Sequence, residues 1–244
     1  MVRIGVIGAG GMGSGIAQTT ATFGFTTVCC DISKEALEKA RADVVGGRFG
    51  FERAIERGKL TREAAEAARE RLSFTEDFTA AASCDLVIQC VPERLDLEVR
   101  PLRQLDAAAP AHAILASNTS GFPIAALAAA TERPERVIGW HWASPPVVMK
   151  FAEIVVTEAT GADAKRIVCE TAEACGKHPV VVKDNPMAWG FVANRIYAAM
   201  LREAARVVDE GVATHDEVNQ LMVECYNWPV GPFAMVKGAG SGWK

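Results

Sequence analysis

The run Val2-Arg3-Ile4-Gly5-Val6-Ile7 leads straight into Gly8-Ala9-Gly10-Gly11-Met12-Gly13, and no other stretch restricts the fold of this chain as narrowly. The β-branched run predicts a strand, the glycines a tight turn, and Ile16-Ala17-Gln18 a helix that ends near Gly24. A second strand, Thr26 to Cys30, ends at Asp31, and Ser33 is a fitting N-cap for the next helix. The result is a βαβ unit with GxGxxG at its first turn. Gly8 permits the turn, Gly10 lets main chain approach a pyrophosphate, and Gly13 allows close helix–strand packing. The helix N-terminus around Gly11 and Met12 then stabilises the anion. Asp31, 18 residues past Gly13, places a carboxylate where ribose hydroxyls bind and a 2′-phosphate is repelled, which favours NAD over NADP. FAD sites share the fingerprint, so the motif by itself leaves the dinucleotide open.

Alternation continues downstream. From Ala36 to Arg71 the chain is rich in Ala, Glu, Arg and Lys, predicting a helical hairpin broken at Gly46-Gly47 or Gly50 and at Gly58, with Thr61 capping the second piece. Short apolar runs at Asp85–Val91, Ala113–Ser117, Arg136–Trp140 and Val180–Val182 read as buried parallel strands between helix-prone segments. This is the pattern of an α/β fold: a Rossmann-type, doubly wound parallel sheet. After Pro186 strand signals stop, Gly190–Glu210 has helical spacing, Thr214 caps a further helix, and Trp228–Pro232 forms a turn. The expected division is a dinucleotide-binding domain over 1–185 and a small all-helical domain over 186–244.

Composition narrows the possibilities. With half of its 244 residues hydrophobic, the chain can bury a sizeable core, and a net charge of −4 argues against nucleic acid as a partner. Seven cysteines without CxxC or Cys/His spacing suggest reduced thiols in a cytoplasmic setting and no metal site. No segment approaches the ~18 apolar residues of a membrane span, and the N-terminus lacks a signal-peptide pattern.

His141 follows the predicted strand 136–140, at the carboxyl end where such sheets bind ligands. A neutral imidazole at that place can take a hydroxyl proton as hydride leaves, and Glu153, twelve residues on, can orient it and stabilise the imidazolium.

Together these residues resemble the L-3-hydroxyacyl-CoA dehydrogenase family along nearly the whole chain. The likeness is carried by Gly8 to Gln18, Val91-Pro92-Glu93, Ala116-Ser117-Asn118-Thr119-Ser120, Val147-Val148-Met149-Lys150 with Glu153, Gly190-Phe191-Val192-Ala193-Asn194-Arg195, and Val230-Gly231-Pro232-Phe233. The resemblance implies NAD as cofactor, an acyl-CoA substrate, a role in fatty acid metabolism and a homodimer. By the same resemblance His141 is the general base and Glu153 its partner, Ser120 and Asn194 hold the reacting oxygen and its neighbours, and Glu93 and Asn118 lie by the cofactor. The bland alternative makes 117–120 a polar loop and Asn194 an ordinary helix residue.

Departures fall on the substrate side. Where the family reads Phe-Phe-Asn-Pro, this chain has Trp142-Ala143-Ser144-Pro145, so Ser144 stands for an amide at the substrate. Glu98 replaces a family lysine near the cofactor, a charge inversion expected to weaken contacts to phosphate or carboxylate groups. The glycines at 46, 47 and 50 interrupt a hairpin that contacts CoA in the family, where Arg53 and Arg57 still offer cations for its phosphates; a solvated helix face is the alternative for both. The turn at 185–190 is longer than usual, and the helical domain ends at Lys244, expected to be short for the family. Two other functions stay open: a dehydrogenase of a free hydroxy acid, like those acting on carnitine or gulonate, and a non-catalytic NAD-binding protein like the lens crystallin of this fold.

Overall fold

The computed structural model describes residues 2–241, and the chain divides into two compact units, 1–189 and 190–244. In the first unit β1 (Ile4–Ile7), α1 (Gly11–Thr22) and β2 (Thr27–Cys30) build the expected βαβ unit. Next come α2 (Lys34–Gly46), α3 (Phe51–Glu56), α4 (Arg62–Arg71) and β3 (Leu72–Thr75). The predicted caps are in place: Ser33 Oγ accepts the Ala36 N–H at 3.1 Å, and Thr61 Oγ1 accepts that of Ala64 at 3.2 Å. The hairpin breaks where glycine predicts, with α2 ending at Gly46 and Gly50 preceding α3.

The unit continues through α5 (Phe78–Ala82), β4 (Leu86–Gln89), α6 (Leu95–Ala108), β5 (Ile114–Ser117), α7 (Ile124–Ala128), β6 (Val137–Trp142), β7 (Phe151–Val156), α8 (Ala162–Ala174) and β8 (His178–Lys183). All eight strands join one sheet in the order β3-β2-β1-β4-β5-β6-β7-β8. Strands β1, β2, β4 and β5 are buried at every position, as strands covered on both faces must be. The chain leaves β1 toward β2 on one side and returns to β4 on the other, so a crevice opens at the carboxyl ends of β1 and β4. Ile4, Val6, Ile16, Leu86, Ile88, Ile138 and Trp140 form the centre of the core, each burial contributing on the order of 2 kcal/mol.

Two strands escape the sequence. β3 begins directly after the predicted hairpin, which ends at Arg71, and β7 follows the predicted strand 136–140; neither lies in a predicted element. The sheet is also not wholly parallel, because β6 and β7 pair antiparallel. β7 explains why β6 is longer than expected: it holds residues 141 and 142 in the ladder through the pairs His141↔Glu153 and Trp142↔Ala152. His141 therefore lies inside the strand, not after it.

The second unit contains α9 (Val192–Asp209), α10 (His215–Tyr226) and α11 (Pro232–Ser241). A reciprocal capping box starts α10: Glu217 N–H donates to Thr214 Oγ1 at 3.3 Å, and Thr214 N–H donates to Glu217 Oε2 at 2.7 Å. Asn219 Oδ1 accepts the Phe233 N–H at 2.9 Å and faces Gly231, where a Cβ would collide with it at 2.5 Å. That contact accounts for Gly-Pro-Phe at the start of α11. Lys244, where the sequence ends the helical domain, lies with residues 242 and 243 outside the described residues.

Candidate active site

Antiparallel register converts a separation of twelve residues into direct contact. His141 and Glu153 face each other across β6 and β7, with Nδ1 of the ring 2.9 Å from Oε2 of the carboxylate, so the Nδ1–H tautomer donates to Glu153. Both are buried, and the Phe151 and His141 rings meet edge to face, their centres 5.4 Å apart at an interplanar angle of 86°. In this apolar setting the carboxylate fixes the ring's orientation and offsets positive charge formed on it.

The glycine loop shows which positions serve the fold and which leave room for a ligand. Gly8 has φ +104°, and a Cβ there would lie 2.3 Å from Cys90 O; one on Gly13 would lie 1.8 Å from Gly8 O. Gly10 and Gly11, by contrast, face open space on that side. Gly10 is the N-cap of α1 and offers no side-chain cap, so main-chain N–H groups of the first turn, at Gly11 and Met12, are presented at the sheet's crevice. Asp31 at the end of β2 braces this loop: Oδ2 accepts the Ala9 N–H at 2.7 Å and Oδ1 the Ser33 N–H at 2.9 Å. Open space over Gly10, an uncapped helix start and a carboxylate at the end of β2 suit a dinucleotide with free ribose hydroxyls.

Beyond β5 the segment 117–120 is fastened by Glu93. Thr119 Oγ1 donates to Glu93 Oε2 at 2.8 Å, and the Ser120 N–H donates to Glu93 Oε1. Asn118 Oδ1 accepts the Trp142 N–H at 2.9 Å, tying this segment to the strand that carries His141. Ser144 is exposed in the connection between β6 and β7, and Asn194 stands on the first turn of α9 in the second unit.

Glu98 requires a correction. Far from opposing a ligand's phosphate, it is 1% exposed, sealed beneath β4 and β5, where Oε2 accepts Gln89 Nε2–H at 2.5 Å and Ser117 Oγ–H at 3.2 Å. Burial pushes its carboxyl up to about 7, with Glu93 adding to the rise and the Gln89 and Ser117 bonds opposing it. The charge inversion is thus absorbed by an internal network. Through Ser117 Oγ, which accepts the Thr119 N–H at 3.2 Å, that network reaches the segment bearing Ser120.

A cleft of about 290 Å³ lies against α3, and Arg48, Arg53, Arg57 and Lys59 line it, with Val147 and Val148 on another wall. Arg53 also pairs with Glu56 at 2.7 Å. Arg48 and Lys59 were missed in the sequence, although their clustering within twelve residues of the two predicted arginines was a usable signal. Among the described residues no group of His, Cys, Asp and Glu could hold a metal ion, and no helix is long and apolar enough to cross a membrane.

Comparison with known proteins agrees with this geometry. Residues 3–185 match the family described as 3-hydroxyacyl-CoA dehydrogenase, NAD binding domain, and residues 190–244 its C-terminal domain. A probable 3-hydroxybutyryl-CoA dehydrogenase of Deinococcus radiodurans is 40% identical over 98% of this chain and 84% of its own. The mitochondrial hydroxyacyl-coenzyme A dehydrogenase of Sus scrofa is 33% identical over 98% and 76%. The crystal structure of (S)-3-hydroxybutyryl-CoA dehydrogenase from Ralstonia eutropha superposes with a TM-score of 0.91 at 36% identity, covering 96% of this chain and 81% of that one. The chain therefore belongs to the 3-hydroxyacyl-CoA dehydrogenase family, NAD-dependent oxidoreductases acting on CH–OH groups.

Proposed function

We propose that this chain interconverts an L-3-hydroxyacyl-CoA and the 3-ketoacyl-CoA, with His141 as general base, and the observation that carries the residue assignment is the buried His141–Glu153 pair. NAD, held by Gly8, Gly10, Gly11, Met12, Gly13 and Asp31 with Glu93 and Asn118 beside it, supplies the hydride acceptor. His141, with Nδ1 committed to Glu153, takes the hydroxyl proton at Nε2 while the C–H electron pair leaves the carbinol carbon. Glu153 stabilises the imidazolium that results. Ser120 donates a hydrogen bond to the oxygen as it becomes a carbonyl, and Asn194, on the first turn of α9, is the substrate-side amide of the helical unit. In the reverse direction His141 returns the proton to the alkoxide.

Arg53 and Arg57, with Arg48 and Lys59 in the same cleft, meet the CoA phosphates, and Ser144 faces the acyl portion. A free hydroxy acid has no use for a cleft lined by four cations, and a non-catalytic protein has none for the buried pair itself. Both alternatives are disfavoured for these reasons. The proposal includes a homodimer in the cytoplasm. Exposed Val192, Ile196 and Tyr197 on α9 support association, and cysteines free of disulfides support a reducing compartment.

The test is turnover of acetoacetyl-CoA with NADH. The wild-type chain is expected to oxidise NADH, and His141→Gln to lower kcat by on the order of 10²-fold or more with the fold retained. Absence of thioester turnover refutes the substrate, and an unaltered rate in the variant refutes the base.

A further inference from the structure

Lys177, which has no part in the steps above, is 5% exposed, and its ammonium donates to main-chain oxygens. Nζ donates to Pro146 O at 2.5 Å and Met149 O at 2.7 Å, and it lies 4.9 Å from the centre of the Trp142 ring. A buried ammonium is tolerated only where its donors are met, and here two carbonyls and an aromatic face meet them. Burial pushes the group down to about 8.

The turn from α8 to β8 delivers this side chain. Gly176 takes φ +69°, a conformation glycine adopts without strain, and the Lys177 N–H donates to Ala172 O at 2.9 Å. The carbonyls that Lys177 grips belong to the connection between β6 and β7. Pro146 of that connection lies over Gly15 of α1, where a Cβ would come within 3.1 Å of the proline ring. Val147 and Val148 line the cationic cleft, and Trp142, under the ammonium, adjoins His141. One side chain thus joins the start of β8 to the segment that touches the cofactor helix and walls the cleft.

We propose that Lys177 is a positioning residue for acyl-CoA recognition: its ammonium holds residues 143–150 in the form that presents Val147 and Val148 to the cleft. This rests on the thioester activity proposed above. Without the ammonium, two carbonyls lose their donor and the connection loses its shape, which weakens the substrate site before the dinucleotide site.

The test uses the full chain with Lys177→Met and Lys177→Arg, measuring acetoacetyl-CoA kinetics and NADH binding by fluorescence. For Lys177→Met the KM for acetoacetyl-CoA is expected to rise about tenfold or more, the scale of one hydrogen bond from a charged donor, with NADH affinity within about twofold of wild type. Lys177→Arg retains the charge but not the compact ammonium, and its KM should lie between the two. If the Met variant does not fold, the Arg variant decides alone, with KM raised at least about threefold and NADH affinity retained. An unchanged KM in a folded variant overturns the positioning role, as does a loss of NADH affinity equal to the rise in KM. Absence of thioester turnover in the wild type would instead remove the activity on which the role rests.

Discussion

Replacing Glu98 with glutamine should stabilise the protein at alkaline pH and leave it nearly unchanged in mild acid. The folded carboxyl is pushed up to about 7 by burial, against an ordinary value of 4.5. A raised carboxyl binds its proton more tightly when folded. Its contribution to stability is therefore fully present below pH 4.5 and is lost as pH rises through 7. At about 1.4 kcal/mol per pH unit, the gap sets a ceiling of about 3 kcal/mol on that loss. Glutamine does not titrate and keeps an oxygen for Gln89 and Ser117. Urea unfolding followed by tryptophan fluorescence at intervals from pH 5 to pH 8 measures the difference. The curves should nearly coincide at pH 5 and separate toward pH 8, where the full difference would correspond to roughly 6–12 °C in Tm. A difference constant across that range, or a variant less stable at pH 8, would refute the buried-acid account.

Glu153→Gln keeps the shape of the pair but removes the charge that stabilises the imidazolium, and kcat should fall on the order of 10²-fold with KM little changed in steady-state assays. Gly10→Ala meets open space and should fold while losing NADH affinity in fluorescence titration; Gly13→Ala drives a methyl into Gly8 O and should fail by circular dichroism at temperatures where Gly10→Ala is folded. Swapped outcomes would reverse the roles assigned to the two glycines. Removing Arg53 and Arg57 together should raise the KM for acetoacetyl-CoA at least about tenfold at low salt and by less at high salt. A KM indifferent to both changes would place the CoA phosphates elsewhere.

Local patterns were legible wherever the cause is local. GxGxxG between a strand and a helix, Ser33 and Thr61 as caps, the glycine break after α2 and the capping residue of α10 all depend on residues within one turn of each other. β7 was missed although Phe151-Ala-Glu-Ile-Val-Val is apolar and β-branched enough to suggest a strand. β3 has only four residues and follows a strong helical pattern, so its strand character comes from pairing with β2.

The dinucleotide fingerprint and the type and order of most elements were written in the sequence, because period, capping and glycine chemistry act over short distances. The tertiary structure decided what depends on packing between distant segments. It set the register that brings Glu153 to His141, buried Glu98 against Gln89 and Ser117, brought Val147 and Val148 to the cleft lined by the cations of 48–59, and placed Lys177 under the carbonyls of Pro146 and Met149. Each of these follows from which surfaces meet when the sheet closes on its helices, and only the folded chain brings those surfaces together.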